Sequence, residues 1–398
     1  MSIASQTDTT VGIVGGGPAG LMLSHLLDRA GIANVVIDNR TRDEIEHTVR
    51  AGILEVDSVN MLLDNDVSDR VLRDGYRHDG IDLRFDGESH RIDFEKLVGE
   101  AVWLYPQTDV FIDLADARER DGADVRFGIT DTEVFDVTGD RPRIEYTDAE
   151  GLRHEIVCDY LVGSDGSRSI CRHQMPESQR RHYFKEYPFA WFGFLVDAPP
   201  SAPELIYAHS DRGFALVSQR TDILQRMYFQ CDPEEDVANW SDERIWEEME
   251  ARVAGPDGLT LKEGAISDQA VLRFRSFVCE PMRYGSMVLA GDAAHTVPPT
   301  GAKGLNLAMS DVKILADVLQ RSIAAGDKDI LDEYGPRALE RIWRAQQFSY
   351  WMTTMLHTLP GADDYDNRRQ IAELKSVVSS VPGQTYLAEA YTGWPGRD

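Results

Sequence analysis

The hydrophobic pattern opens with an apolar run, VGIVG, and a glycine-rich turn. Apolar positions then recur every three to four residues in PAGLMLSHLLDRA, and a second apolar run follows in ANVVID. A short apolar run bounded by turn residues fits a buried strand, and a 3.6-residue period fits a helix. The order strand, glycine turn, helix, strand over residues 10–40 is the start of a βαβ unit. Residues 53–74 keep the three-and-four spacing and predict a helix. From about 124 to 164 the period switches to two. ADVRF, TEVFDV, PRIEYT and HEIVCDYLVGSDG predict strands joined by the turns TGDRP and DAEG. A second strand-rich region spans 183–231, with FAWFGFLVDA, ELIYAHS, GFALVSQR and LQRMYFQC. The helix SDERIWEEMEARV follows, with Ser241 as its N-cap. SMVLAGDAAH predicts a buried strand ending in a polar turn. A helix begins near Lys303, residues 304–350 are mostly helical, continuing to about 357, and the pattern after Pro360 is mixed. The topology expected is α/β: a nucleotide-type domain interrupted by a sheet-rich one, to which the chain then returns.

The first turn carries Gly15, Gly17 and Gly20 in the spacing G-x-G-x-x-G. One glycine permits the tight turn, one lets backbone approach a pyrophosphate, and one lets helix and strand pack closely. The helix N-terminus adds N–H donors and a positive dipole end. Asp38, 18 residues after Gly20 at the end of the next strand, can accept hydrogen bonds from ribose hydroxyls. The motif fits a dinucleotide without separating FAD from NAD, and a tight turn with no ligand is the plain alternative. Two further strand ends narrow the choice. DYLVGSDGSRS sets Asp165 and Gly166 after one apolar strand, and MVLAGDAAH sets Gly291 and Asp292 after another. A single extended FAD fits three strand ends with one glycine motif. Asp292 can hold a ribityl chain. A helix start near Leu305 and Asn306 can face the flavin pyrimidine edge, where its dipole would stabilise the anionic reduced ring.

Charge changes the picture next. With 68 acidic residues against 41 basic ones the formal net charge is −27. Nucleic acids and anionic membranes would be repelled, so any anionic ligand needs local cations or helix N-termini. The sequence has no run of 18 apolar residues, and its polar start, MSIASQTDTT, lacks a secretory apolar core, so a cytoplasmic protein is expected. Cys158, Cys171, Cys231 and Cys279 show neither C-x-x-C nor metal spacing; reduced structural thiols and no metal site are expected. The strand GFALVSQR puts Phe214, Leu216, Ser218 and Arg220 on one face, and QRMYFQ puts Arg226, Tyr228 and Gln230 on one face. Two arginines, a serine and a tyrosine would gather there. A planar guanidinium pairs bidentately with a carboxylate, although a solvated edge with surface ion pairs fits the same spacing.

GGGPAG, VRAGILE, YPQTDV, GSDGS, GDAAHTVPPTGAKGLNLA and ELIYAHSDRGFALVSQR together resemble the single-component FAD aromatic hydroxylases, in particular those acting on 4-hydroxybenzoate. The likeness runs from about residue 10 to about 394. It implies a Rossmann-like, GR2-type FAD-binding domain at 1–181, an inserted substrate domain at 182–283, and at 284–398 a return to the first domain with a helical C-terminal interface region. It implies transient visits by NADH or NADPH to reduce FAD, O2 as oxidant through a flavin C4a-hydroperoxide, and hydroxylation ortho to a substrate phenolate, giving 3,4-dihydroxybenzoate. A homodimer through the C-terminal helices is also implied.

Carried onto this chain, the resemblance assigns the substrate carboxylate to Arg220, Ser218 and Tyr228. The phenol falls to Tyr207, backed by Tyr391 and, through a relay, His78, with the Pro299 carbonyl nearby. FAD contacts fall on Gly15, Gly17, Gly20, Asp38, Arg50, Gln107, Asp165, Asp292, Leu305 and Asn306. Arg226 would stand beside the flavin, and Lys303 would add positive potential near its ring. The residues alone also allow Tyr207 and Tyr391 as core aromatics, His78 as a loop histidine and Asp292 as a turn cap; His295 reads as structural. A phenolate is more reactive at its ortho carbon than a phenol. A tyrosine pair leading to an imidazole, which titrates near neutrality, would remove that proton. In DNRTRDEIEHTVR the cations Arg40, Arg42 and Arg50 sit among Asp43, Glu44 and Glu46. A 2′-phosphate wants uncompensated cations, so NADH is expected to serve at least as well as NADPH. Alternatives are a hydroxylase of another para-substituted benzoate such as 4-aminobenzoate, or a flavin-fold protein that binds a partner or lipid without turnover.

Overall fold

The computed structural model describes residues 3–48 and 52–394. Strand Ser5–Val14, helix Pro18–Arg29 and strand Asn34–Ile37 form the opening βαβ unit. They belong to a sheet ordered Arg283–Tyr284, Met287–Leu289, Arg153–Gly163, Ser5–Val14, Asn34–Ile37, Asp124–Arg126, with Arg143–Thr147 and Thr130–Phe135 paired outward from Arg153–Gly163. Ser5–Val14 runs parallel to both neighbours, Arg153–Gly163 and Asn34–Ile37. Parallel strands buried on both faces read as continuous apolar runs, and Val11, Ile13, Val35, Val36, Leu161 and Val162 are buried accordingly. The C-terminal ends of Ser5–Val14, Arg153–Gly163 and Met287–Leu289 lie side by side, because Val14 pairs with Gly163 and Gly163 with Leu289. That register brings the loops carrying Gly15, Asp165 and Asp292 to one edge.

The second sheet is mostly antiparallel and runs His295–Thr296, Ala265–Glu280, Arg181–Asp197, Leu224–Cys231, Ala215–Thr221, Leu205–Ala208, Gly80–Phe85, Glu88–Asp93. Its first strand and its last two lie outside 182–283, so sheet and chain segment do not coincide. The pattern of residues 80–93 had not marked them as strands. Period-two alternation separates its faces. Phe192, Phe194 and Val196 pack beneath Ile245, Trp246, Met249 and Val253 on helix Asp242–Val253, whose N-cap Ser241 accepts from the Arg244 N–H. On the other face Trp191, Tyr207, Phe214, Leu216 and Tyr228 join the C-terminal helices through Phe348, Met352, Leu387 and Tyr391.

Residues 53–74 are not one helix. Strand Ile53–Glu55 precedes helices Val56–Asp64 and Arg70–Asp74, and it pairs with Val102–Leu104, itself paired with Tyr76–His78. Helices Lys303–Ala325 and Tyr334–Leu356 follow the expected start, and the mixed-looking tail folds into Asp364–Val378 and Val381–Tyr391. Proline and glycine at residues 382–383 hid the last of these. Pro382 sits in the first turn, where its missing N–H costs nothing.

Candidate active site

One cavity of about 1360 Å³ runs from the glycine turn to the second sheet. Its nucleotide end is built from backbone. Gly15 has φ +110°, and a Cβ on it would lie 2.3 Å from the Ser164 carbonyl oxygen. A Cβ on Gly20 would lie 1.9 Å from the Gly15 carbonyl oxygen, whereas one on Gly17 would project into open space. Two glycines thus close the turn and the third keeps a cradle clear, as a pyrophosphate site requires. Asp38 is buried and lines the cavity. Its carboxylate accepts from the Gly16 N–H at 2.8 Å and from the Arg40 N–H at 2.9 Å, and pairs with the Arg40 side chain at 3.2 Å.

Three helices of eight residues or more begin at the cavity wall: Pro18–Arg29, Gln107–Arg120 and Lys303–Ala325, through Gly17 and Pro18, Pro106 and Gln107, and Ala302, Gly304 and Leu305. Their unpaired N–H groups and dipoles answer how a chain of charge −27 can hold an anionic group. The last helix enters through a turn in which Gly301 (φ +86°) and Ala302 (φ +52°) are left-handed, and the Ala302 N–H donates to the Pro299 carbonyl at 2.9 Å. Asp165 and Asp292 also line the cavity. Asp165 accepts from Ser169 Oγ at 2.5 Å and the Cys171 N–H at 3.1 Å, and burial pushes its pKa up.

The far end is built from side chains. Ser218 pairs with Arg226 across the ladder and Leu216 with Tyr228, so the two expected faces coincide; these four residues and Arg220 line the cavity. Gln230 instead turns to Thr358, donating to its carbonyl at 2.7 Å. Arg226 reaches Asp268 at 3.3 Å and stacks over Tyr228. Arg220 is half-buried and, among the described residues, has neither an ion-pair nor a hydrogen-bond partner. Burial and the neighbouring Arg226 hold its pKa below the usual guanidinium range. Tyr207 pairs with Leu216, four residues before Arg220, so its Cα lies roughly 14 Å from that of Arg220 across the sheet at about 3.4 Å per residue. Its Oη meets Tyr391 Oη at 2.7 Å. Burial pushes the Tyr207 pKa up to about 12, with hydrogen bonds from Tyr391 and the Gly301 backbone drawing it down. Pro299 lines the cavity beside that loop.

Three expected site residues stand differently. Lys303 is buried away from the cavity wall: its Nζ pairs with Glu55 at 2.6 Å and donates to the Tyr391 carbonyl at 2.9 Å. Burial lowers its pKa against the pull of Glu55. Lys303 shares that carboxylate with Arg341, at 2.8 Å. The Asn306 side chain faces strand Ile53–Glu55, accepting from the Glu55 N–H at 3.0 Å and donating to the Ile53 carbonyl at 2.8 Å, whereas its neighbours Gly304 and Leu305 line the cavity. His78 is buried, and among the described residues neither ring nitrogen has a hydrogen-bond partner. It makes no direct bond to Tyr391, and burial holds its pKa down to about 4, far from neutrality. Arg50 lies outside the described residues. His295, read as structural, is buried against Asp311 at 2.6 Å.

Sequence reasoning missed Trp191, Gly193, Leu205 and Tyr105 in the cavity wall. For the first two a signal existed: alternation in FAWFGFLVD sets Trp191 and Gly193 on one face, and a Cβ on Gly193 would lie 2.7 Å from the Tyr228 ring.

Comparison with known proteins agrees with this geometry. A family model described as FAD binding domain matches residues 8–349. The chain is 41% identical over 388 residues to the p-hydroxybenzoate hydroxylase of Acinetobacter baylyi, covering 97% of this chain and 96% of that protein. Among solved structures, p-nitrophenol 4-monooxygenase from Pseudomonas putida superposes with a TM-score of 0.82 at 19% identity, covering 99% of this chain and all of that one. The Diels-Alderase PyrE3 of pyrroindomycin biosynthesis superposes at 0.77 with 22% identity, covering 98% of this chain and 81% of that one. At such identities these two share the fold and nothing finer. Taken together, the cradle, the cavity and these matches place the chain in the p-hydroxybenzoate hydroxylase family of FAD-dependent aromatic monooxygenases.

Proposed function

We propose that this enzyme hydroxylates 4-hydroxybenzoate at the 3-position, consuming O2 and a reduced nicotinamide and releasing 3,4-dihydroxybenzoate. The observation that carries the reading is Arg220, a half-buried cation with no partner among the described residues, on the same cavity face as the Tyr207–Tyr391 pair. A buried guanidinium without an anion is costly unless a ligand supplies one. A para-substituted benzoate offers a carboxylate at one end and a phenol at the other. Residues 1–181 would then hold FAD, 182–283 with Gly80–Asp93 the substrate, and 284–398 the return and the C-terminal helices.

FAD, when bound in the cradle of Gly15, Gly17 and Asp38, supplies the oxygen-activating redox chemistry. The protein's share is binding and proton handling. Arg220, with Ser218 and Tyr228, fixes the carboxylate and so aims the ring. Tyr207, protonated at neutral pH because burial raises its pKa, donates from Oη to the substrate phenolate oxygen and accepts from Tyr391 Oη. The phenol proton leaves by the same oxygens, passing to Tyr207 as Tyr207 hands its own to Tyr391 and Tyr391 releases its own to an intervening molecule. His78, neutral at pH 7, can accept a proton only across an intervening molecule. Product analysis after aerobic turnover tests the reading: 3,4-dihydroxybenzoate is expected, and reductant consumption without hydroxylated product contradicts it.

NADH is expected to serve at least as well as NADPH. Arg42 is paired with Glu46 at 2.5 Å, with Glu119 at 2.8 Å and with Asp116, and Arg40 is paired with Asp38. Neither cation is uncompensated for a 2′-phosphate. Steady-state kinetics with both nicotinamides decide this, a strong NADPH preference refuting it. A homodimer belongs to the same reading, supported by Tyr183, Trp343 and Tyr350, which are 40%, 41% and 45% exposed; light scattering measures it.

A further inference from the structure

Trp191 forms part of the cavity wall beside Tyr228, ring centroids 4.8 Å apart. Away from the cavity its indole enters an aromatic cage, stacked on Phe214 at 5.1 Å and edge-on to Phe274 at 5.0 Å. Inside that cage Nε1–H donates to His357 Nε2 at 2.7 Å, and the two ring planes differ by 13°, so the bond lies nearly in plane. The other nitrogen, His357 Nδ1, lies 2.8 Å from the Thr353 carbonyl. A carbonyl only accepts, so Nδ1 carries the proton and Nε2 is the acceptor. His357 is fully buried and sandwiched between Phe189 at 4.6 Å and Phe214 at 4.4 Å. Burial there holds its pKa down to about 3 and keeps it neutral.

The next residue repeats the connection. Trp191 pairs with Gln230 across the ladder, and Gln230 accepts from the Thr358 N–H at 3.1 Å while donating to its carbonyl at 2.7 Å. Residues 357–358, where the chain leaves helix Tyr334–Leu356, are therefore stitched to the sheet at a matched pair of strand positions, and only one of the pair faces the cavity.

We propose that His357 is a positioning residue: by accepting the Trp191 indole N–H it fixes the indole plane against Tyr228 and so sets the width of the slot that takes the aromatic acid. The inference rests on the aromatic-acid reading above. Without the acceptor a buried N–H is left unpaired, a cost that a turn of the indole toward polar cavity groups would relieve.

The test uses the FAD-loaded full chain and four variants: His357→Leu, His357→Gln, Trp191→Phe, and Trp191→Phe with His357→Leu. Leucine removes the acceptor, while glutamine can return an oxygen to the Nε2 position. The Thr353 carbonyl keeps the backbone N–H of His357 at 3.1 Å in each. Titration of the flavin absorbance with 4-hydroxybenzoate is expected to show Kd raised about tenfold by leucine and restored to within about threefold by glutamine. In the Trp191→Phe background the leucine change is expected to shift Kd less than about twofold. Product formed per reductant consumed should fall and recover in the same order. Equal effects of leucine and glutamine, or a full leucine effect without the indole, overturn the proposal. Should His357→Leu fail to retain FAD, Trp191→Phe alone decides: it must raise Kd about tenfold, and an unchanged Kd overturns the proposal. A wild-type flavin that answers to another aromatic acid would sink the 4-hydroxybenzoate reading, and the same variants titrated with that acid would still test the clamp.

Discussion

The two ends of the cavity are made of different material. At the nucleotide end the chain contributes turns, three helix starts and one buried carboxylate already bonded to its own backbone. Recognition there is mainly a matter of shape and N–H direction. At the sheet end the chain contributes side chains: Arg220, without a partner among the described residues, and a tyrosine pair of which Tyr207 lines the cavity. A backbone site is insensitive to side-chain identity except where a Cβ would intrude. A side-chain site is stored electrostatic cost that the ligand relieves. Substitutions should therefore act on folding at one end and on binding or chemistry at the other.

The largest effect is expected from Gly20→Ala, where the new Cβ would sit 1.9 Å from the Gly15 carbonyl oxygen. A backbone clash of that depth costs about 3 kcal/mol or more; thermal melts of the apoprotein should fall and FAD should be lost on gel filtration. Gly17→Ala sharpens the contrast: its Cβ meets only open space, so the apoprotein should melt normally while FAD binds more weakly. Equal melting of the two variants would break the distinction.

At the sheet end, Tyr207→Phe should bind 4-hydroxybenzoate and reduce flavin nearly as well as wild type. It should lose about a hundredfold in hydroxylation, within the usual range for a positioned proton-transfer group, with reducing equivalents appearing as H2O2. Full hydroxylation would remove the tyrosine pair from the chemistry.

A smaller effect concerns His78 and His357, whose folded pKa values of about 4 and about 3 lie below the unfolded value near 6.5. Between those limits the unfolded chain binds more protons. The contribution is complete above about pH 6.5 and is lost as pH falls, by at most about 1.4 kcal/mol per pH unit for each histidine. Urea titrations at pH 7 and pH 5 should differ accordingly, and His78→Gln should flatten the dependence. An unchanged slope would mean that His78 is not buried neutral.

The same contrast explains what was legible in the sequence. The nucleotide end was readable because local rules write it: G-x-G-x-x-G between a strand and a helix, and aspartates at strand ends. The period-two faces of Ala215–Thr221 and Leu224–Cys231 were readable too, because alternation fixes which side chains share a side. Strands Gly80–Phe85 and Glu88–Asp93 were not, since they join the sheet through Leu205–Ala208, more than a hundred residues on. The pairing of Lys303 was not legible because its partner Glu55 lies 248 residues away in sequence. The burial of His78, which sets its protonation, was not legible because it has no local signature in GYRHDG. Trp191 and His357 escaped notice for the same reason, each being ordinary until the other is brought to it.

The central claim is that Arg220 waits for a carboxylate. It is tested most directly by titrating the FAD-loaded wild type and Arg220→Ala with 4-hydroxybenzoate and with 4-hydroxybenzamide, which keeps the phenol and loses the charge. Wild type should prefer the acid by about a hundredfold or more, in line with the roughly 2–5 kcal/mol lost when one partner of a buried charge pair is removed. Arg220→Ala should bind the two alike, while its apoprotein melts no lower than wild type because an unpaired half-buried cation has been removed. The same preference for the acid in both proteins would contradict the account.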